Sequence, residues 1–204
     1  MSNVNMWEIE NSFYSENIQV ICGVDEAGRG PLAGPVCAAA VILPKDLQLP
    51  GLTDSKKLTD KKRRELFPLI QEQAIAYGIG FASEKEIDEI NILQATFLAM
   101  QRALEQLTVR PDLALIDGNR EKDFGLPVKT VVKGDSLSAN IAAASVLAKV
   151  SRDNLMLDMA GKFPGYGFEV HKGYGTKAHY AALRELGASP IHRMTFLRKL
   201  YGNQ

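Results

Sequence analysis

The order of the short apolar segments is the feature that most restricts how this chain folds. Three such segments lie close together near the start, and two more follow later; they read IQVICGV, GPVCAAAVILP, AIAYGIGFAS, DLALID and LPVKTVV. Short apolar runs bounded by Gly, Pro, Asn or Asp are typical of buried strands. Strands in succession, followed by strands alternating with helices, predict an α/β fold. We expect a mixed five-stranded sheet flanked by helices, in which the first three strands form an antiparallel meander.

The stretches between the strands carry apolar residues at helical spacing, as in SEKEIDEINI, LQATFLAMQRALEQL and the alanine-rich SLSANIAAASVLAKVSRDNLMLDMAGKF. Another helix is predicted after LTDSKKL, with Thr59 as its N-cap and with Leu66, Leu69 and Ile70 on one face. A last helix, KAHYAALRELG, is expected to end at Gly187.

Composition limits the class of protein. The chain is 46% hydrophobic and 24% charged, which is typical of a folded domain. We expect one domain over residues 1–204, with residues from about 163 to 204 forming a small C-terminal helical lobe. The longest apolar run, VCAAAVIL, is far shorter than the ~20 residues of a membrane span. The start resembles no secretion signal, and Cys22 and Cys37 lie in apolar segments as expected for buried free thiols. We therefore expect a cytoplasmic monomer with no membrane partner.

Acidic residues stand at the ends of three strand-like segments. Asp25 and Glu26 follow the first, Asp117 ends DLALID, and Asp135 follows VKTVVKG. Open α/β sheets place their sites beyond the carboxyl ends of the strands, so these acids are expected to meet. Carboxylates brought together repel one another unless a cation lies between them. Because oxygen ligands without Cys or His favour Mg²⁺ or Mn²⁺ over zinc, the acids predict such a site.

Each acid also has a purely structural explanation. Asp117 before Gly-Asn suits a turn, Asp135 suits the N-cap of the next helix, and the DE pair suits the surface of a hairpin. Glu26 presents a further difficulty, because successive side chains of a strand point to opposite faces. Either the strand leaves its register there, or Glu26 contributes through its backbone carbonyl or a bound water.

Two further charge patterns bear on the site. Asp153 is a rival ligand, but Lys149 lies one helical turn before it and is expected to pair with it. Acidic residues outnumber basic ones at the start of the chain, and the reverse holds after Lys149. This asymmetry favours a cation site beside a surface that binds a polyanion, with an ordinary mixed-charge surface as the alternative.

Five motifs occur in order between about Val20 and Phe196: GVDEAGRGPLAGPV, LTDSKKL, LIDGN, KGD followed by AAASVLAKVSRD, and HKGYGT. Together they resemble type 2 ribonuclease H, the ribonuclease HII family. The resemblance implies a ribonuclease H-like fold and Mg²⁺- or Mn²⁺-dependent hydrolysis of RNA in RNA–DNA hybrids. It also implies incision at single ribonucleotides embedded in DNA, and hence a role in ribonucleotide removal. The family's acidic ligands map onto Asp25, Glu26, Asp117 and Asp135.

The resemblance also implies substrate contacts. In the family, the turn that corresponds to Gly28, Arg29 and Gly30 reads the ribose 2′-OH. Glycines allow the backbone to approach a sugar closely, the 2′-OH distinguishes RNA from DNA, and the arginine can contact a phosphate.

Tyr174 matches the family tyrosine that stacks on the deoxyribose next to the ribonucleotide, which would favour RNA–DNA junctions. Lys56 and Lys57 are expected to contact phosphates of the duplex. Packing is the structural alternative for Tyr174, and an exposed face is the alternative for the lysine pair.

The mechanism that follows is two-metal hydrolysis, with two ions ~4 Å apart, one activating water and the other stabilising the leaving 3′-oxygen. Asp25 is expected to bridge the ions, and the products are expected to carry 5′-phosphate and 3′-OH ends. The alternatives are a resolvase or transposase core, a type 3 ribonuclease H, and a non-catalytic protein that binds hybrids. The C-terminal RMTFLRKLYGNQ is expected to pack as a helix, with docking on a sliding clamp as the alternative.

Overall fold

The computed structural model describes residues 5–53 and 58–202, and its centre is a five-stranded sheet. The strands are β1 (Ile21–Ala27), β2 (Val36–Ile42), β3 (Ala76–Ala82), β4 (Leu113–Asp117) and β5 (Val128–Val131). Their spatial order is β3-β2-β1-β4-β5. The first three strands pair antiparallel, whereas β4 and β5 run parallel to β1. The predicted mixed sheet and its antiparallel meander are confirmed.

Helices lie on both faces of the sheet and in the C-terminal part. They are α1 (Glu8–Phe13), α2 (Asp60–Gln73), α3 (Glu84–Glu105), α4 (Ala139–Lys162), α5 (Phe168–His171), α6 (Lys177–Leu186) and α7 (Arg198–Tyr201), with 3₁₀ turns at Gly134–Ser136 and Met194–Phe196.

The helix boundaries largely agree with the sequence-based expectations. Thr59 caps α2 by accepting a hydrogen bond from the Lys62 amide at 3.2 Å. The two helices predicted between β3 and β4 form one helical span, α3, which is kinked at Asn91, a residue with φ of 65°. Gly187 ends α6 as predicted. Leu66 and Ile70 of the predicted apolar face are buried, whereas Leu69 is 39% exposed.

Two apolar layers sandwich the sheet. Side chains of one face, among them Cys22 and Val24, pack with α3, and side chains of the other, among them Cys37 and Val41, pack with α2 and α4. Both cysteines are buried and free, as expected. The alternation follows from the strand geometry, since neighbouring side chains point to opposite faces. Within the described residues, no helix is long and apolar enough to cross a membrane.

The C-terminal segment packs on the end of α4 and on the loop between β1 and β2. Its own apolar cluster joins Phe168, Leu183 and Leu197 to Leu32 of that loop and to Met156 of α4. The end of the chain therefore belongs to the core of this helical part. The Tyr201 hydroxyl donates to the Leu183 carbonyl at 2.8 Å, so α7 packs here as expected.

Helix α4 approaches β1 so closely that only glycine fits between them. A Cβ on Gly23 would lie 2.2 Å from the backbone of Asn140 and Ile141 at the start of α4. Backbone atoms cannot move aside as a side chain can, so this contact sets the height of α4 above the sheet.

We expect Gly23→Ala to destabilise the fold by about 3 kcal/mol, because the added methyl group would force α4 away from β1. The measurement is the free energy of unfolding in urea. Gly161→Ala is the matched control: Gly161 lies in α4 with open space around it, and this change should stabilise the protein by about 0.5 kcal/mol. Equal effects of the two changes would contradict the proposed role of the close approach.

Candidate active site

Three of the predicted acids meet at one edge of the sheet. Asp25 lies in β1, Asp117 ends β4, and Asp135 lies in the 3₁₀ turn Gly134–Ser136. One ligand oxygen from each lies within 4.8 Å of the others. Asp25 and Asp135 are buried, and Asp117 is half-buried. The sequence-based expectation that these side chains converge is confirmed.

Strand pairing explains the convergence of Asp25 and Asp117. Val24 pairs with Ile116 in the parallel register of β1 and β4, so the next residues of the two strands lie side by side. Ile21 and Leu115, which share the face of these acids by alternation, pack with Ile141 of α4. Both carboxylates therefore point toward α4.

A tight turn after β5 brings Asp135 back to the other two acids. Lys133 adopts the left-handed conformation with φ of 59°, and the Gly134 amide donates to Asp117 Oδ1 at 2.7 Å. Asp135 is not the N-cap of α4, because Ser138 occupies that position and accepts from the Ile141 amide. The carboxylate of Asp135 is therefore not needed to cap the helix.

Glu26 does not belong to this group of three carboxylates. The pairing of β1 with β2 continues without interruption through Glu26 and Ala27, so the strand keeps its register. The Glu26 side chain lies near Arg29, with 3.3 Å between Oε1 and Nη1. Of the two routes expected for Glu26, departure of the strand from its register is thus wrong, whereas a backbone or water-mediated contribution stays a prediction.

The acidic group is electrostatically unfavourable without a cation. Burial raises the pKa of Asp25 well above its usual range, and the negative charges of Glu26 and Asp117 raise it further. Hydrogen bonds from the Ser145 side chain and the Glu26 amide offset part of this effect. A site that destabilises its own carboxylates and offers only oxygen ligands fits a hard divalent cation such as Mg²⁺ or Mn²⁺.

Asp25 and Asp117 open into a cleft of about 250 Å³ that also contains the glycine–arginine turn and the predicted tyrosine. The lining residues are Asp25, Glu26, Ala27, Gly28, Arg29, Gly30, Arg63, Asp117, Ser145, Lys149 and Tyr174. Tyr174 is 43% exposed. The position of a Cβ on Gly30 lies 3.9 Å from Tyr174 Cε1, so the turn and the ring face each other. Lys56 and Lys57 lie outside the described residues.

Arg193 binds the backbone of the glycine–arginine turn, which is formed by residues 28–30. The sequence did not predict this role. This side chain is fully buried, and its Nη2, Nη1 and Nε donate to the carbonyls of Gly28, Arg29 and Gly34 at 2.6, 2.9 and 2.9 Å. Burial lowers the pKa of Arg193 to about 9, which leaves it charged at neutral pH. Its sequence context contained no signal for this role.

Arg152 of α4 performs a similar task on the next part of the loop. It too is fully buried, and it donates to the carbonyls of Pro35, Ala33 and Lys172 at 2.9, 3.0 and 3.0 Å. It therefore ties the β1–β2 loop to the segment that carries Tyr174. The sequence did indicate that Arg152 is buried, because this residue follows Ala148 by four positions and thus lies on the apolar face of its helix.

Lys149 and Arg63 are two further basic residues that sequence analysis did not assign to the site. Lys149 Nζ lies 2.7 Å from Asp153 Oδ1, which confirms the predicted pair and leaves Asp153 outside the acidic group. Arg63 of α2 also lines the cleft and donates to the Leu58 carbonyl at 2.6 Å. Both place positive charge beside the carboxylates.

Comparison with known proteins identifies the family. The model of the ribonuclease HII family matches residues 22–199. The chain belongs to this family. Ribonuclease HII of Endomicrobium trichonymphae is 57% identical to it over 194 residues, covering 94% of this chain and 92% of the relative.

Two solved structures show the same fold. The ribonuclease H2 from Pyrococcus horikoshii OT3 has a TM-score of 0.72 and 28% identity, covering 87% of this chain and 93% of that one. The enzyme in the PCNA:RNase HII complex from Archaeoglobus fulgidus has a TM-score of 0.70 and 26% identity, covering 86% of this chain and 94% of that one.

Family membership settles the class of reaction. Ribonuclease HII enzymes are metal-dependent endonucleases that act on RNA–DNA hybrids, and this chain is accordingly a metal-dependent ribonuclease H. The alternatives of a resolvase core, a transposase core and a non-catalytic hybrid-binding protein are thereby excluded.

We expect Asp25→Asn to raise the melting temperature of the metal-free protein. The folded-state pKa of Asp25 is raised, so stability present at acidic pH is lost as pH rises through that value. The neutral amide removes this loss, so the difference in melting temperature between the variant and the wild type should grow as pH rises above about 4, the ordinary pKa of an aspartate. The measurement is thermal unfolding in a chelating buffer.

Asp158→Asn serves as the control, because Asp158 is an exposed residue of α4. It should change the unfolding free energy by no more than about 0.5 kcal/mol. A metal-free Asp25→Asn protein that is less stable than wild type at every pH would contradict the electrostatic account.

Proposed function

We propose that the enzyme incises duplex DNA on the 5′ side of single embedded ribonucleotides, and hydrolyses the RNA strand of longer hybrids by the same two-metal chemistry. The observation that carries this proposal is the group of Asp25, Asp117 and Asp135, of which Asp25 and Asp117 line one cleft together with the Gly28–Gly30 turn and Tyr174. A site for divalent cations thus lies beside backbone that a sugar can approach closely.

In the proposed site Asp25, Asp117 and Asp135 would hold the divalent ions, and Glu26 would contribute through its carbonyl or a water. When bound, the two ions supply an activated water and stabilise the leaving 3′-oxygen. Water attack leaves 5′-phosphate and 3′-OH ends. The same ligands would bind either Mg²⁺ or Mn²⁺, because both ions prefer carboxylate oxygens.

Recognition of the ribonucleotide is assigned to the turn of Gly28, Arg29 and Gly30. Arg193 binds the carbonyls of Gly28 and Arg29, which directs these oxygens away from the cleft and holds the turn in one conformation. A turn held in this way can place its backbone against a 2′-OH with little loss of entropy on binding. Arg29 would leave Glu26 to contact a phosphate.

Tyr174 is assigned to the deoxyribose next to the ribonucleotide. Its ring is open to solvent on one side, and Lys149 Nζ and Arg152 lie 5.8 and 5.9 Å from its centroid. The two cations stabilise the ring position through cation–π contacts. An aromatic surface suits a sugar that lacks a 2′ substituent, so the proposal favours RNA–DNA junctions. Lys56 and Lys57 are assigned to phosphates of the same duplex.

A sliding clamp is proposed as a partner, on the basis of the Archaeoglobus fulgidus relative that was solved with PCNA. In this chain Leu197 is buried and Tyr201 is anchored, so a clamp would bind residues beyond or around α7. A monomeric state and a cytoplasmic location stay predictions from the sequence.

We expect the wild-type enzyme to incise a duplex that contains one ribonucleotide, in Mg²⁺ or Mn²⁺, and to leave an all-DNA duplex of the same sequence intact. Asp25→Asn should lower the rate by a factor on the order of a thousand, because it weakens the ion site rather than the substrate surface. Single-turnover cleavage on gels measures the rate, and the ends are mapped by phosphatase sensitivity.

Asp158→Asn again provides the control and should cut at the wild-type rate. Excess EDTA should stop cleavage by the wild type. Full activity after complete chelation, or equal cleavage of the all-DNA duplex, would refute the proposal.

We expect Tyr174→Ala to lower cleavage of RNA–DNA junctions by roughly tenfold relative to uniform RNA–DNA hybrids, because stacking on an aromatic ring is worth about 1–3 kcal/mol. The measurement is the ratio of kcat/KM on the two substrates. Tyr77→Ala, at an exposed tyrosine of β3, should leave this ratio unchanged. If Tyr174→Ala also leaves it unchanged, the assignment of Tyr174 is wrong.

A further inference from the structure

The three histidines of the chain form a cluster behind the segment that carries Tyr174. His179 and His192 are buried, and His171 stacks on His179 with 4.4 Å between ring centroids. None of the three lines the cleft. The cluster is therefore a polar group in an otherwise apolar core, and its hydrogen bonds need an explanation.

The bonds of His179 determine its tautomer. Its Nδ1 lies 3.0 Å from the Tyr174 carbonyl oxygen, which can only accept, so Nδ1 carries the proton. In the neutral ring Nε2 then has a free lone pair. That nitrogen lies 3.0 Å from His192 Nε2, which must be the donor.

The hydrogen bonds of His192 also indicate that His192 Nε2 is the donor in its contact with His179. The backbone amide of Ser189 donates to His192 Nδ1 at 2.8 Å, so this nitrogen is an acceptor and the proton of the neutral ring is on Nε2. The Ser189 hydroxyl lies 2.8 Å from the same nitrogen. The Ser189 carbonyl is farther from it, at 3.3 Å, and accepts from the His192 backbone amide at 3.0 Å. One direction of donation thus runs from Ser189 through His192 and His179 to the Tyr174 carbonyl.

A proton added to either ring would disrupt this chain. A second N–H on His179 would face the N–H of His192, and a second N–H on His192 would face the Ser189 amide. In agreement, burial lowers the pKa of His179 and lowers that of His192 to about 4. Both rings are neutral near neutral pH.

The segment that receives these bonds depends on outside support. Tyr174 lies between Gly173 and Gly175, and Gly173 has φ of 86°. Glycines on both sides leave the local backbone many conformations. His171 Nδ1 accepts from the Gly173 amide at 3.2 Å, and His179 holds the next carbonyl, so two imidazoles orient the peptide units around Tyr174.

We propose that Ser189, His192 and His179 form a directed hydrogen-bond relay that positions Tyr174, and that this relay sets the preference of the enzyme for RNA–DNA junctions. The inference rests on the function proposed above for Tyr174. His179 and His192 are positioning residues, because neither reaches the cleft. The relay joins the Tyr174 segment to the loop before α7, two parts of the chain that are distant in sequence.

The test is a double-mutant cycle on the ratio of kcat/KM for junction and uniform-hybrid substrates. The Tyr174 carbonyl accepts from the Thr176 amide at 2.8 Å as well as from His179. His179→Leu removes the imidazole donor and should lower the ratio by about fivefold, the effect of one hydrogen bond. His179→Asn keeps an N–H donor near the position of Nδ1 and should restore most of the ratio. In a Tyr174→Ala background, His179→Leu should change the ratio no further.

An equal loss from His179→Leu with and without Tyr174 would overturn the proposal, because His179 would then act independently of that ring. A variant that is less stable but keeps the wild-type ratio would overturn it as well. So would a His179→Asn protein with a ratio as low as that of His179→Leu.

A second measurement needs no variant and no substrate. Nitrogen NMR of isotope-labelled histidines in the wild-type protein should show the Nδ1–H tautomer for His179 and the Nε2–H tautomer for His192. The opposite tautomer in either ring would refute the relay, even if the variants fail to fold. If Tyr174→Ala alone leaves the ratio unchanged, the proposed role of Tyr174 fails, whereas the tautomers still decide whether the relay exists.

Discussion

The close approach of α4 to β1 at Gly23 is the constraint on which the site depends. Because no side chain separates the two backbones there, α4 lies low over the sheet edge where the carboxylates meet. Successive turns of this one helix then reach different parts of the site: Ser145 bonds Asp25, Lys149 lies beside the Tyr174 ring, and Arg152 holds the neighbouring loops. One backbone contact thus aligns the acidic and the basic parts of the cleft.

The charges of the site are arranged in two layers. Carboxylates face the cleft, where burial and mutual repulsion raise the pKa of Asp25. Behind the loops, Arg152 and Arg193 are buried and satisfy their donors with backbone carbonyls. Buried cations are costly unless they are hydrogen-bonded, so these carbonyls are held firmly. The metal-free enzyme therefore has mutually repelling carboxylates in the cleft and firmly held backbone carbonyls behind the loops. This arrangement is expected where stability is traded for function.

Local patterns in the sequence predicted the features that depend on neighbouring residues. The five strands, the Thr59 cap and the three converging acids followed from apolar runs, turn residues and strand ends. The extent of burial depends on packing: Leu69 lies on the expected helix face, yet only Leu66 and Ile70 of that face are buried. The sequence did not decide whether β1 keeps its register at Glu26, because the same order of residues allows either outcome.

The sequence by itself determined the fold class, the family and the acids that could bind a divalent cation, because strand periodicity, turn chemistry and motif order are properties of neighbouring residues. Only the tertiary structure decided that Glu26 stays outside the close group of Asp25, Asp117 and Asp135. It also decided that Arg152 and Arg193 bind backbone carbonyls of the loop between β1 and β2, and that the histidines form a hydrogen-bonded chain behind Tyr174. These features join residues far apart along the chain. Their bonds exist only once the sheet and α4 have brought those residues together, and no local pattern encodes that proximity.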